Sequence, residues 1–202
     1  MITKLGETLY HGSRREVSML NPLNLSKDKR IPAAVFATPS RNMALAYAGA
    51  AWDDGDINHS FIHHKDKPMG LVIREMRPNA LQEIYGTHPG YLYTVPDEGF
   101  QDLPGFKSIV PEVINYGAVK PSSMLSIRNV LKALQKDPTV ELKTFDPKDR
   151  VTLGIIRRRA ARAADNPDGG EAYIGQITKN APPEIAELYR KAIRRATRLK
   201  DD

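Results

Sequence analysis

The spacing of short apolar runs constrains this chain more than any other feature. Residues 8–11, 33–37, 69–76, 90–95, 108–114 and 118–125 read as strand-length segments, each bounded by Gly, Pro, Asn, Asp or Ser. They are unevenly spaced. Between them, the Ala-rich stretch 40–51 and the stretch 126–135 read as helices, with Thr38 as N-cap of the first and Pro39 at its first helical position, where a missing N–H costs nothing. The polar stretch 13–32 reads as a loop broken by Pro22, and 52–68 has no period and reads as an excursion loop. Irregular strands with two or three helices among them specify an α+β sheet domain rather than alternating βαβ units. No G-x-G-x-x-G opens a helix, which removes a Rossmann arrangement.

Past Pro138 the character changes. Residues 147–164 form a basic helical run containing Arg157, Arg158, Arg159 and Arg162; a turn follows at 166–170. Residues 183–200 form a second basic helix, with Ile185, Leu188, Tyr189, Ala192, Ile193 and Ala196 in one apolar stripe. The expected organisation is therefore a sheet domain over 1–138 and a basic helical C-terminal extension over 139–202. Residues 1–125 hold 13 Lys and Arg against 13 Asp and Glu, and residues 126–202 hold 17 against 11, so the net +6 lies wholly in the later part. Such a surface attracts nucleic acid, acidic lipid or an acidic protein partner, and a solvated helix face fits equally well.

Composition adds exclusions. A chain of 202 residues, 41% hydrophobic and 27% charged, can bury a core and folds as an ordinary globular protein. The absence of cysteine removes disulfides, thiolate zinc sites and cysteine nucleophiles. Residues 1–9 lack an apolar signal core and no run reaches the roughly 18 apolar residues of a membrane span, so a soluble, cytoplasmic protein is expected.

Three stretches carry candidate chemistry. Leu9-Tyr10-His11-Gly12-Ser13 ends a strand on a residue without a Cβ, where backbone can approach a ligand closely, although a His-Gly at a strand end also serves as a plain turn. Phe36 on a strand and Tyr47 on the following helix stand eleven positions apart, as a ring-stacking pair or as core aromatics. Glu112, within Val110-Pro111-Glu112-Val113-Ile114-Asn115, is a carboxylate on an otherwise apolar strand, which calls for a function or an edge position.

In that order, these stretches resemble the ADP-ribosyltransferase superfamily, in its histidine-led branch typified by diphtheria toxin and the poly(ADP-ribose) polymerases. The resemblance spans about residues 8–125. It implies a split antiparallel sheet with flanking helices, and NAD as substrate. Carried over, it implies that His11 bonds the adenosine ribose, that the Gly12 backbone holds the nicotinamide carboxamide with Ser13 beside it, and that Phe36 and Tyr47 sandwich the nicotinamide ring. Glu112 then bonds the nicotinamide ribose and steadies the cationic sugar, making Glu112 and His11 the catalytic pair. The family's strand aromatic is usually Tyr; Phe36 keeps the stacking face and loses the hydroxyl. The arginine-modifying toxin branch is a poorer match, because there is no Ser-Thr-Ser strand with a preceding Arg and no Glu-x-Glu turn.

His59, His63 and His64 complete no metal-ligand spacing and read as loop residues, so no metal is expected; His88 beside Pro89 reads as a turn residue. No Gly-x-Ser-x-Gly elbow and no phosphate-binding loop is present. The expected activity is transfer of ADP-ribose from NAD to a macromolecular acceptor, protein or nucleic acid, with release of nicotinamide. The alternatives are a non-catalytic nucleic-acid- or partner-binding module on the same fold, and an NAD glycohydrolase.

Overall fold

A computed structural model describes residues 8–23, 33–49, 55–62, 69–102, 111–165, 175, 178–179 and 181–201. Among them the chain is mixed α+β, with three small sheets and five helices. It divides into two compact units: Met1–Trp52, Ser60–Val72 and Gln82–Glu141 form one, and Asp53–His59, Ile73–Leu81 and Leu142–Asp202 form the other.

In the first unit, β1 (Leu9–Ser13), β5 (Gly90–Val95) and β8 (Ser123–Ile127) make one antiparallel sheet in the order β1-β5-β8. A second sheet holds β2 (Val35–Ala37), β7 (Val113–Asn115) and β6 (Gln101–Asp102) in the order β2-β7-β6. The strands alternate, so one face of each supplies the core: Leu9, Val35, Ala37, Tyr93, Val95 and Val113 cluster with Leu20 and Val119. Burial of these side chains is the main force holding the two sheets together, at roughly 1.5–3 kcal/mol for each large one.

Helix α1 (Arg41–Tyr47) has five consecutive buried residues, Asn42 to Ala46, and so is surrounded rather than amphipathic. Its one buried polar side chain, Asn42, is satisfied by donating to the Met69 carbonyl at 3.0 Å and to Thr139 Oγ1 at 2.8 Å. The N-cap is Ser40, not Thr38, and Pro39 lies outside the helix. The reason is that the Thr38 backbone exchanges both hydrogen bonds with Tyr10, which holds it extended; its hydroxyl instead accepts from the Ser40 N–H at 3.1 Å. Helix α3 (Val130–Lys136) starts under an Asn129 cap that accepts from the Lys132 N–H at 2.8 Å.

A third sheet has the order β3-β4-β9, from β3 (Ile57–Ile62), β4 (Gly70–Glu75) and β9 (Val140–Lys143). Strand β3 overturns the excursion loop expected across 52–68. Its Asn58, His59 and Ser60 break any apolar alternation, and pairing with β4 makes it a strand. His59 therefore lies in a strand; burial and the charge of Arg159 hold its pKa down to about 3. Strand β9 and helix α2 (Ala80–Tyr85) lie where no element was expected. His63, His64, residues 108–110 and the 166–170 turn fall outside the described residues.

The second unit is built on α4 (Arg150–Ala164) and α5 (Pro183–Asp201), whose Ile155, Ile156, Ala163, Ile185 and Tyr189 share a core with Met76. Asp149 caps α4 by accepting from the Thr152 N–H and Oγ1, each at 2.9 Å, and from Arg74 Nη1 at 2.9 Å. Arg159 reaches into this unit and donates to the carbonyls of Gly55 at 2.6 Å and Ile57 at 3.0 Å, and to the Tyr189 hydroxyl at 3.3 Å. No helix among the described residues is long and apolar enough to cross a membrane.

One position of α4 is weak by composition. Gly154 sits mid-helix, and a Cβ built there meets nothing within 4 Å. Glycine there forfeits helix propensity with no steric return, so Gly154→Ala is expected to raise stability by about 0.5–1 kcal/mol, read as a shift of the urea midpoint at constant m-value.

Candidate functional site

The first unit contains His11, Gly12, Ser13, Phe36, Tyr47 and Glu112, and the site begins where its two sheets touch. Tyr10 and Thr38 exchange N–H to O bonds of 2.8 and 2.9 Å, forming an isolated antiparallel bridge between β1 and the residue that follows β2. Continued antiparallel pairing would place a ladder bond from the Gly12 N–H to the Phe36 carbonyl. That bond is replaced: His11 Nδ1 donates to the Phe36 carbonyl at 2.7 Å. A carbonyl can only accept, so the proton of the neutral ring is on Nδ1. The strands part at this point.

The parity of the bridge fixes which way Gly12 faces. Tyr10 directs both its backbone polar groups at β2, and in a strand the residue two positions on does the same. The Gly12 N–H and C=O therefore point into the opening between β1 and β2, and no backbone partner there takes them up among the described residues. One donor and one acceptor, side by side on a single residue, match the complementary pair on a carboxamide.

Gly12 is glycine for a second reason, one the sequence did not disclose. A Cβ there would fall 1.8 Å from the Ala44 carbonyl oxygen and 2.6 Å from the Ala48 amide nitrogen, so the close approach is to helix α1. Ser13 ends β1 with its hydroxyl accepting from the Arg15 N–H at 3.1 Å, turning the chain away.

Phe36 lies opposite Ile114 in a non-hydrogen-bonded pair, the arrangement in which side chains stand closest, and packs with Ile114 and Ala34. Glu112 precedes β7 by one residue instead of lying within it. Continuing the alternation of β7 puts Glu112 on the face of Ile114 and Phe36. Tyr47, the last residue of α1, reaches that face and donates its hydroxyl to Glu112 Oε1 at 2.5 Å.

Phe36, Tyr47 and Glu112 thus share one face, while the His11 side chain leaves β1 on the core side, with its ring centroid 6.1 Å from that of Tyr93. The Phe36 carbonyl links the two groups. Tyr93 had no functional reading in the sequence, and the period-two pattern over 90–95 was its only signal. Its hydroxyl accepts from the Val17 N–H at 2.8 Å and donates to the Arg15 carbonyl at 3.2 Å, fixing the chain that leaves the site. Tyr93 also lines a cavity of about 530 Å³ with Glu16, Ser18 and Met124.

Burial dominates the electrostatics. It raises the Glu112 pKa above the ordinary carboxylate range, and the bond from Tyr47 offsets part of that rise. Burial, then the adjacent Glu112 charge, pushes the Tyr47 phenol far up, so the shared proton stays on Tyr47. Burial lowers the His11 pKa, with partial offset from the Phe36 carbonyl, so the imidazole is neutral at pH 7. One face holds a desolvated carboxylate and two aromatic rings, β1 contributes an open amide pair, and the neutral imidazole stands on the core side, joined to them through the Phe36 carbonyl. The site has the means to stabilise a developing cation beside a flat amide-bearing ring. In comparisons with known proteins, the chain matches no protein-family model, no curated protein and no solved structure.

Proposed function

We propose that the chain is an NAD-dependent ADP-ribosyltransferase whose two sheets form the split antiparallel sheet of the histidine-led branch. Two observations carry this reading: the parting of β1 and β2, which leaves the Gly12 N–H and C=O without a backbone partner among the described residues, and the hydrogen bond that joins Tyr47 to Glu112. The nicotinamide carboxamide pairs with Gly12, its ring lies against Phe36 and Tyr47, and His11 meets the adenosine ribose. As the C1′–N bond breaks, its electron pair neutralises the pyridinium nitrogen, and the cationic sugar forms beside the Glu112 carboxylate. An acceptor nucleophile then adds at C1′ and gives up its proton to solvent water. The acceptor is a macromolecule.

The test is incubation with NAD labelled on the adenylate half, together with protein and nucleic-acid acceptors. Release of nicotinamide with transfer of label supports the proposal; release with no label transferred assigns a glycohydrolase. No release under any condition overturns it.

A pH measurement isolates the carboxylate. Only ionised Glu112 stabilises the cation, so turnover is expected to rise with pH through a limb above the ordinary carboxylate range. The stability sign runs the other way: a carboxyl with a raised folded-state pKa favours folding most when protonated, and that contribution declines as pH climbs from the ordinary toward the raised value. Tyr47→Phe removes the bond that lowers the Glu112 pKa, so the acid limb is expected to move to higher pH. An unmoved limb in a kcat/KM profile would detach the limb from Glu112.

A further inference from the structure

The arginines of α4 divide into two kinds. Arg159 is committed to the fold through two backbone carbonyls and the Tyr189 hydroxyl. Arg150, Arg157, Arg158 and Arg162 are exposed, and no ion pair or hydrogen bond engages them among the described residues.

At 100° per residue, Arg150 and Arg157 fall in one row along the exposed side of the helix, and Arg158 and Arg162 in a second. Gly154 lies between them, with open space above it. Residues 150–164 include no acidic side chain, so the four charges are not balanced on their own helix. Arg150 also occupies the first turn, where the helix dipole disfavours a cation. On α5, by contrast, Glu187 takes up Arg194 at 2.8 Å and Arg190 at 3.5 Å and also feels the Lys191 charge, leaving Arg195 outside that cluster.

We infer that this α4 face binds the phosphate backbone of nucleic acid. Three observations select that partner among polyanions. The cations are all arginine, whose planar fork grips a phosphate through two parallel bonds, where lysine acts as a point charge. Successive arginines of the second row rise about 6 Å along the axis, which suits a ladder of repeating charges. The face also lacks apolar anchors: Val151 is its one exposed large hydrophobic residue, and the α5 stripe of Ile185, Leu188 and Tyr189 is packed in the unit's own core. A membrane-surface helix needs an apolar face to insert, and a protein interface needs a desolvated centre; backbone binding to nucleic acid needs neither. This inference is independent of the NAD chemistry.

The experiment is fluorescence anisotropy of the full chain with labelled single-stranded and duplex oligonucleotides across a salt series. Parallel titrations use polyglutamate and vesicles of mixed neutral and anionic lipid. The wild type is expected to bind one or both oligonucleotides, with affinity falling log-linearly in salt. Replacing Arg157, Arg158 and Arg162 together with Gln removes three phosphate contacts. The slope magnitude is then expected to fall by about 2–3, with on the order of 100-fold weaker binding at 0.1 M salt. The matching Lys triple keeps its slope. Should the Gln triple unfold by circular dichroism, Arg158→Gln alone is expected to reduce the slope magnitude by about 0.7–0.9. The inference fails on any of four results: no salt-dependent binding, an unchanged slope in the folded Gln variants, tighter binding to polyglutamate or vesicles than to either oligonucleotide, or an equal slope change from K191Q/R195Q.

Discussion

Replacing Glu112 with Gln is expected to lower nicotinamide release from NAD by about 10²–10³-fold while the Kd for NAD changes only a few-fold. The substitution keeps an oxygen to accept from the Tyr47 hydroxyl, so the packing between α1 and the start of β7 survives and only the charge is lost. A positive sugar exists in the transition state and not in bound NAD, so the missing charge is felt in kcat. Single-turnover nicotinamide release and calorimetric NAD binding, measured on the same protein, separate the two effects. A parallel loss in both would make Glu112 a binding group, and an unchanged rate would remove it from the chemistry.

Gly12→Ala is expected to cost at least about 3 kcal/mol of stability, before any effect on a ligand, because its methyl would overlap the Ala44 carbonyl of α1. Backbone holds that oxygen on one side and the β1–β5 ladder holds Gly12 on the other, so neither can yield cheaply. Urea unfolding of the variant provides the measurement; a loss below about 1 kcal/mol would mean that α1 does not lie against β1 in this way. The result also tells the two uses of Gly12 apart. Its missing side chain serves the packing, while its amide and carbonyl face the opening between the strands.

Much of the first unit's framework was legible because its strands are short apolar runs bounded by turn residues. The run at 90–95 is β5, that at 33–37 contains β2, and the Ala-rich stretch after Pro39 contains α1. Strand β3 was illegible for the opposite reason: Asn58, His59 and Ser60 carry no period, and a distant partner makes them a strand. Thr38 misled because local sequence offered it as a helix cap while Tyr10, far away in sequence, claimed its backbone. At the site, the separation of Phe36 and Tyr47 could be counted along the chain. The substitution of a His11 ring bond for a ladder bond could not, since it depends on where two strands diverge. The division among the α4 arginines was equally hidden, because three runs of sequence had to fold together before Arg159 could differ from Arg158.

The His11 tautomer has one more consequence. With Nδ1 spent on the Phe36 carbonyl and the ring uncharged, Nε2 offers a lone pair and no proton. A sugar hydroxyl supplies the proton that such a nitrogen lacks, whereas a phosphate dianion at the same position would bring only further lone pairs and be repelled. On the proposed reading, that nitrogen accepts from a hydroxyl of the adenosine ribose.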